Sequence, residues 1–201
     1  MGRGRRNALG AVGLAALTGL SGCGMWNSDA GRPAAAEVYS SKSQDCLARA
    51  MYFESNRSSR DGMIAVGSVV MNRVASPAFP DTICAVVGQK GQFAPGVMTR
   101  PMTEDASRAR VTEASAAVLA GERHPHVGKA RFFHALYYDA DYDNMHYTVS
   151  AGGNAFYEKR DPSRVTQAEP LPNTEGVTGG ETFAAMNAPE TPDLLARLFG
   201  G

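Results

Sequence analysis

Between residues 44 and 121 apolar side chains recur at helical spacing, and beyond residue 130 they alternate, so the chain reads as helices followed by strands. Ser43 can cap a helix running from Gln44 to about Ser55, with Cys46, Leu47, Ala50 and Met51 on one face. At roughly 100° per residue, Glu54 falls in the middle of that apolar arc. A second helix begins near Ser58-Ser59-Arg60-Asp61 and continues to Val74, apolar on nearly every side, which predicts a central position. Ser76-Pro77 stops it, Pro80-Asp81 opens a short helix through Val87, and Gly88 to Pro101 is a loop. Thr103, Glu104 and Asp105 suit the start of a fourth helix, ended by Gly121.

After that the period changes. Arg131 to Tyr138 is rich in aromatic residues, His146 to Ser150 and Ala155 to Lys159 alternate, and Asp141 to Asn144 and Gly152-Gly153-Asn154 supply turns. The expectation is an α+β domain, mainly α, spanning residues 44–160, with a small antiparallel sheet at its C-terminal end. Residues 161–201 carry an excess of acids with Pro, Thr and Gly, which predicts a low-order tail; residues 191–199 could add a short terminal helix. Residues 23–43 are small and polar and read as a tether.

The composition, 43% apolar and 20% charged over 201 residues, is that of a globular domain with flanking segments. Twenty basic and twenty acidic residues cancel, so no sequence-wide charge favours nucleic acid or an anionic membrane. The balance conceals one asymmetry at the start. Arg3, Arg5 and Arg6 precede an uncharged stretch from Ala8 to Leu20, the pattern of a secretory signal peptide over residues 1–22. Gly10, Gly13, Thr18 and Gly19 make this stretch a poor spanning helix. Leu20-Ser21-Gly22-Cys23 resembles the lipobox of bacterial lipoproteins, which implies cleavage before Cys23, lipidation of its thiol and a periplasmic, lipid-anchored location, on the outer membrane. The alternative is ordinary cleavage near Ala34-Ala35-Ala36. On either reading the chain is exported. Cys46 and Cys84 then form an even pair in an oxidising compartment, a disulfide candidate whose alternative is two buried free thiols.

Glu54 is the foremost candidate for chemistry. A carboxyl held against Leu47, Ala50 and Met51 loses solvation, its pKa rises, and it can stay protonated as a general acid. The bland alternative is a structural glutamate paired with Arg49, Arg57 or Arg73.

Three stretches carry a family resemblance. Leu47 to Glu54, Gly62 to Val74 and Phe79 to Cys84, continued by Gln92-Phe93, Phe133-His134-Ala135 and Gly153 to Tyr157, resemble the spore-cortex-lytic (SleB-like) cell-wall hydrolases over about residues 45 to 160. The resemblance implies a lysozyme-like, lytic-transglycosylase fold acting on peptidoglycan glycan strands, with Glu54 as the catalytic acid. The chain departs from the family in two places. Ser55-Asn56-Arg57-Ser58 stands where relatives have Ala-Arg-Gly-Glu, and Asn154 stands where a histidine is frequent.

The implied reaction needs one acid and yields 1,6-anhydro products, whereas hydrolysis needs a second carboxylate, for which Asp61, Glu104, Asp139, Asp141 and Asp143 are candidates. Sugar rings are held by flat aromatic faces and by amides. Phe132, Phe133, Tyr137, Tyr138, Tyr142, Tyr147, Phe156 and Tyr157 are available, and Gln92, His134 and Tyr157 lie on matched positions as substrate-binding candidates. His124, His126, His134 and His146 match none of the zinc spacings, so no metal or other cofactor is expected. The rival reading is a catalytically weak peptidoglycan-binding or scaffolding lipoprotein that keeps the fold.

Overall fold

The computed structural model describes residues 39–179. The signal segment, Cys23, most of the tether and residues 191–199 lie outside the described residues.

Helix α1 (Ser41–Glu54) begins three residues before the expected start, because the Ser40 hydroxyl, rather than that of Ser43, accepts the Ser43 N–H at 3.1 Å. Ser59 caps α2 (Arg60–Val74) by accepting from the Gly62 N–H, and Thr82 caps the short α3 (Ile83–Val87) through the Ala85 N–H. Thus the third helix opens later than Pro80-Asp81 suggested. Helix α4 (Asp105–Leu119) starts at Glu104 without a side-chain cap; the hydroxyl of Thr103 is not used. Helix α2 is buried along most of its length, and α1, α3, α4 and the sheet pack around it, as its all-round apolar pattern requires. A disulfide joins Cys46 of α1 to Cys84 of α3, with their Cα atoms 5.2 Å apart.

The sheet follows the helices in chain order. Strands β1 (Phe132–Ala135), β2 (Met145–Ala151) and β3 (Asn154–Lys159) pair antiparallel in the spatial order β1-β3-β2, and the ladder of β2 is irregular between Tyr147 and Val149. One sheet face places Val149 and Phe156 in the main core. The opposite face makes a separate small cluster of Met145, Tyr147, Ala155 and Tyr157.

The domain continues past residue 160. Strand β4 (Asn173–Thr174) adds to β2 in parallel, so residues 161–179 are not the low-order tail that composition suggested. Two half-buried attachments hold this strap. The Glu175 carboxylate accepts from the Ser59 hydroxyl and the Gly152 N–H, and the buried Asp61 carboxylate accepts the N–H groups of Val177 and Thr178, each at 2.9 Å. Composition could not reveal this, because the acids that made the segment look solvated find donors only after folding.

Helix α2 and the β2-β3 turn approach closely. A Cβ on Gly62 would sit 2.5 Å from the Cα of Gly152, and Gly152 itself has φ +57°, so both positions require glycine.

Candidate active site

Glu54 is the last residue of α1, and Ser55 terminates the helix in an extended conformation with its N–H returned to the Met51 carbonyl. Three elements meet around this end. The Ala94 N–H, from the loop after α3, donates to Oε1 of Glu54. From β3, the Asn154 side-chain amide donates to the Glu54 backbone carbonyl at 2.6 Å. The third element is α2, whose Arg73 lies within electrostatic reach of the carboxylate.

Burial raises the Glu54 carboxyl above the usual carboxylate range. The Ala94 N–H and the cations of Arg73 and Arg100 pull in the other direction without cancelling it. The three arginines weighed as structural partners are engaged elsewhere. Arg49 pairs with Asp45 at 2.8 Å, Arg57 pairs with Glu104, and the Nε of Arg73 donates to the Arg131 carbonyl at 2.8 Å. Glu54 is therefore a half-buried acid with no ion-pair partner among the described residues.

Arg73 is the unexpected feature. Its guanidinium is buried against the rings of Phe79 and Phe93, at 5.2 Å from each centroid, and Phe132, at 5.9 Å. That burial lowers its pKa to about 10, while Tyr157 and Glu54 favour its charge. It remains a cation at neutral pH. Its Nη1 is buried without a hydrogen-bond partner, so the charge acts through space on the carboxyl.

The candidate binding residues fall in different settings. Gln92 is exposed on the loop that delivers the Ala94 N–H. That loop borders a cleft of about 430 Å³ lined by Val87, Lys90, Phe93, Ala94 and Met98. Tyr157 is buried, stacked on Phe132 with centroids 5.6 Å apart and within electrostatic reach of Arg73, so it offers no free face. His134 is half-buried; its Nδ1 lies 2.9 Å from the Ala135 carbonyl and its Nε2 2.7 Å from the Tyr147 hydroxyl. The first contact requires a proton on Nδ1, and the Tyr147 hydroxyl stands between the imidazole Nε2 and the Met145 sulfur, to which it donates at 3.2 Å. Asn154 was legible only as a departure from family pattern, and its bond to the Glu54 carbonyl requires the folded sheet. Ala94 carried no signal at all, because its contribution is a backbone N–H.

Among the described residues none of the candidate second acids shares a hydrogen bond or ion pair with Glu54. Asp61 is committed to the strap, Glu104 to Arg57 and Ser107, and Asp139, Asp141 and Asp143 lie in the β1-β2 connection. Nor do the histidines assemble. His124 accepts from the His126 N–H, His134 faces Tyr147 and His146 faces Thr166. Among the described residues no group of three His, Cys, Asp or Glu side chains could hold a metal ion.

Comparison with known proteins agrees with the family resemblance. Two solved structures are similar to this chain: the catalytic domain of the germination-specific lytic transglycosylase SleB from Bacillus anthracis, and the catalytic domain of the Bacillus cereus SleB protein. The first is 24% identical with a TM-score of 0.48, over 61% of this chain and 98% of the other. The second is 23% identical with a TM-score of 0.48, over 64% of this chain and all of the other. No curated protein matches. The model of a family described as Cell Wall Hydrolase matches residues 57–157, half of the chain, starting just after Glu54. That span contains the central helix with Arg73, the loop with Ala94, strands β1 and β2, and β3 from Asn154 as far as Tyr157, and by it the chain belongs to the cell wall hydrolases, a family of enzymes.

Proposed function

We propose that this protein cleaves peptidoglycan glycan strands between N-acetylmuramic acid and N-acetylglucosamine as a lytic transglycosylase, with Glu54 as its single acid and base. The observation that carries the reading is a half-buried carboxyl with raised pKa and no ion-pair partner, whose Oε1 is held by a backbone N–H. Oε2 is left to carry the proton.

In the first step that proton passes to the glycosidic oxygen, the bond from C1 of the muramic acid breaks, and N-acetylglucosamine leaves as an alcohol. The positive charge left at C1 faces a carboxylate that has just become ionised. Arg73 and Arg100 stabilise that carboxylate and oppose the rise that burial imposes on its pKa. In the second step the C6 hydroxyl of the same sugar bonds to C1 and gives its proton to Glu54. The acid is regenerated, no water is consumed, and the product is a 1,6-anhydro sugar. The engagement of Asp61 and Glu104 elsewhere removes two of the five candidate second carboxylates that hydrolysis would need.

Export with a lipid on Cys23 belongs to the same reading. It is supported by the basic start, the uncharged stretch and Leu20-Ser21-Gly22-Cys23, and by the Cys46–Cys84 disulfide, which suits an oxidising compartment such as the periplasm. Radiolabelled fatty acid on the wild type but not on Cys23→Ala, in the outer-membrane fraction, is the expected result.

The test of the reaction is digestion of purified sacculi by the full chain beside Glu54→Gln, with mass spectrometry of the released fragments. Anhydro-muropeptides from the wild type only are expected. Reducing-end products would replace transglycosylation by hydrolysis. Retention on sacculi with no release from either protein would leave the peptidoglycan-binding lipoprotein.

A further inference from the structure

Of the eight aromatic side chains in the sheet region, folding leaves three in solvent: Tyr137 at 93% exposure, Tyr138 at 54% and Tyr142 at 67%. They are the exposed large hydrophobic side chains among the described residues, and all three stand in the connection between β1 and β2, residues 136–144. Exposed apolar area gathered in one segment marks a surface that something covers.

The segment starts beside Glu54. Ala135 lies opposite Asn154 in the sheet, and the Asn154 amide holds the Glu54 carbonyl. The Leu136 N–H donates to the Gly153 carbonyl at 2.8 Å, and the Tyr138 N–H to the Ala135 carbonyl at 2.8 Å. The Tyr138 ring meets His134 edge-on at 5.7 Å, and the phenols of Tyr138 and Tyr142 lie within electrostatic reach of Tyr157. The tyrosines thus continue the ring cluster of Tyr157 and His134 out to the surface.

The chemistry of the segment selects its occupant. Asp139, Asp141 and Asp143 stand among the tyrosines, and residues 136–144 contain no lysine or arginine. Such a surface repels phosphate-bearing polymers and anionic membranes. It suits a neutral, hydroxyl-rich chain: tyrosine faces cover the C–H face of a pyranose, while carboxylates accept from its hydroxyl and acetamido donors.

We propose that residues 136–144 form a glycan-holding subsite, in which Tyr137, Tyr138 and Tyr142 stack on N-acetylhexosamine rings neighbouring the bond that Glu54 cleaves. The location relative to the cleaved bond rests on the function proposed above; the binding itself does not.

The test uses the full chain with the N-acetylglucosamine hexamer as probe, titrated by calorimetry. The variants are Tyr137→Ala/Tyr138→Ala/Tyr142→Ala and the matching triple Phe substitution, which keeps the stacking faces. The alanine variant, with an unchanged melting curve, is expected to lose at least about tenfold in affinity, and the phenylalanine variant to bind within a few-fold of the wild type. On sacculi the alanine variant should raise KM and leave kcat unchanged. Wild-type binding that survives the alanine substitutions, or no hexamer binding by the wild type, would overturn the subsite. Glu54→Gln separates the two ideas, since it should bind the hexamer as the wild type does. If it still cleaves sacculi, the assigned acid is wrong, yet tyrosine-dependent hexamer binding still establishes the subsite.

Discussion

The side-chain amide of Asn154, the first residue of β3, donates to the backbone carbonyl of Glu54, the last residue of α1, at 2.6 Å. A helix end leaves its final carbonyls without intrahelical partners, so a sheet residue completes the end that carries the acid. Helix, turn and sheet are thereby tied at one point. Asn154→Ala removes the tie and leaves the carbonyl without that donor. The expected loss is about 1 kcal/mol of stability and a larger loss of cleavage, about tenfold or more, because the carboxyl is no longer fixed against the Ala94 N–H. Paired denaturation curves and initial rates on sacculi measure the two effects.

Glu54 also governs a pH dependence of stability. Its folded pKa lies above its unfolded value, so the folded state binds the proton more tightly. The associated stability is present below the unfolded value, near 4.5, and is lost as pH rises through the raised folded value. Glu54→Gln removes this loss while keeping an acceptor for Ala94. The variant should therefore melt at or above the wild type at pH 7, with the difference shrinking toward pH 4. A variant melting well below the wild type at pH 7 would show that the carboxylate is structural.

His124 acts in the opposite direction. It is buried beside α2, with its Nδ1 accepting from the His126 N–H, and desolvation lowers its pKa from 6.5 to about 4 despite the attraction of Asp61 and Glu175. The unfolded chain binds that proton first, so stability falls as pH drops from about 6.5 toward 4, by about 3 kcal/mol at the end of that window. Replacing His124 by Asn should flatten this slope, as read from denaturation midpoints at several pH values.

The strap of residues 173–178 should be needed for the site. Asp61→Asn weakens the acceptor of two backbone N–H groups, and Glu175→Gln does the same at Ser59 and Gly152. Each should cost about 1 to 3 kcal/mol. Hydrogen exchange should rise first in residues 173–178 and at the Gly152–Gly153 turn, followed by loss of cleavage, since that turn leads into Asn154. Gly62→Ala should produce the same loss from the other side, by pushing the turn away from α2.

Reduction of the Cys46–Cys84 bond releases a closed loop with a sequence separation of 38. The chain-entropy model gives about 4 kcal/mol for a loop of this size. Guanidinium denaturation with and without reductant, and of the Cys46→Ser/Cys84→Ser variant, should show a shift of this order.

Much of the molecule was legible along the chain, and the reasons are local. The period of apolar residues marked α1, the all-round burial of α2 and the switch to strands after residue 130, because each records which side of one element faces water. The position of Glu54 on the apolar arc already implied a desolvated acid. Boundaries were less legible: Ser40 and Ser43 are both competent caps, and only the folded helix chose between them. The partners of the acid were not legible at all. Ala94 contributes a backbone N–H that no side chain advertises, Arg73 lies among three phenylalanine rings contributed by other segments, and Asn154 arrives 100 residues downstream. The strap escaped notice because Asp61 and Glu175 look solvated until a chain segment supplies their donors. Sequence by itself determined the elements and the candidate acid, which depend on neighbours a few residues away. Tertiary structure alone decided what surrounds that acid and which tyrosines remain in water, because desolvation and hydrogen bonding are set by groups that meet only when distant segments close on one another.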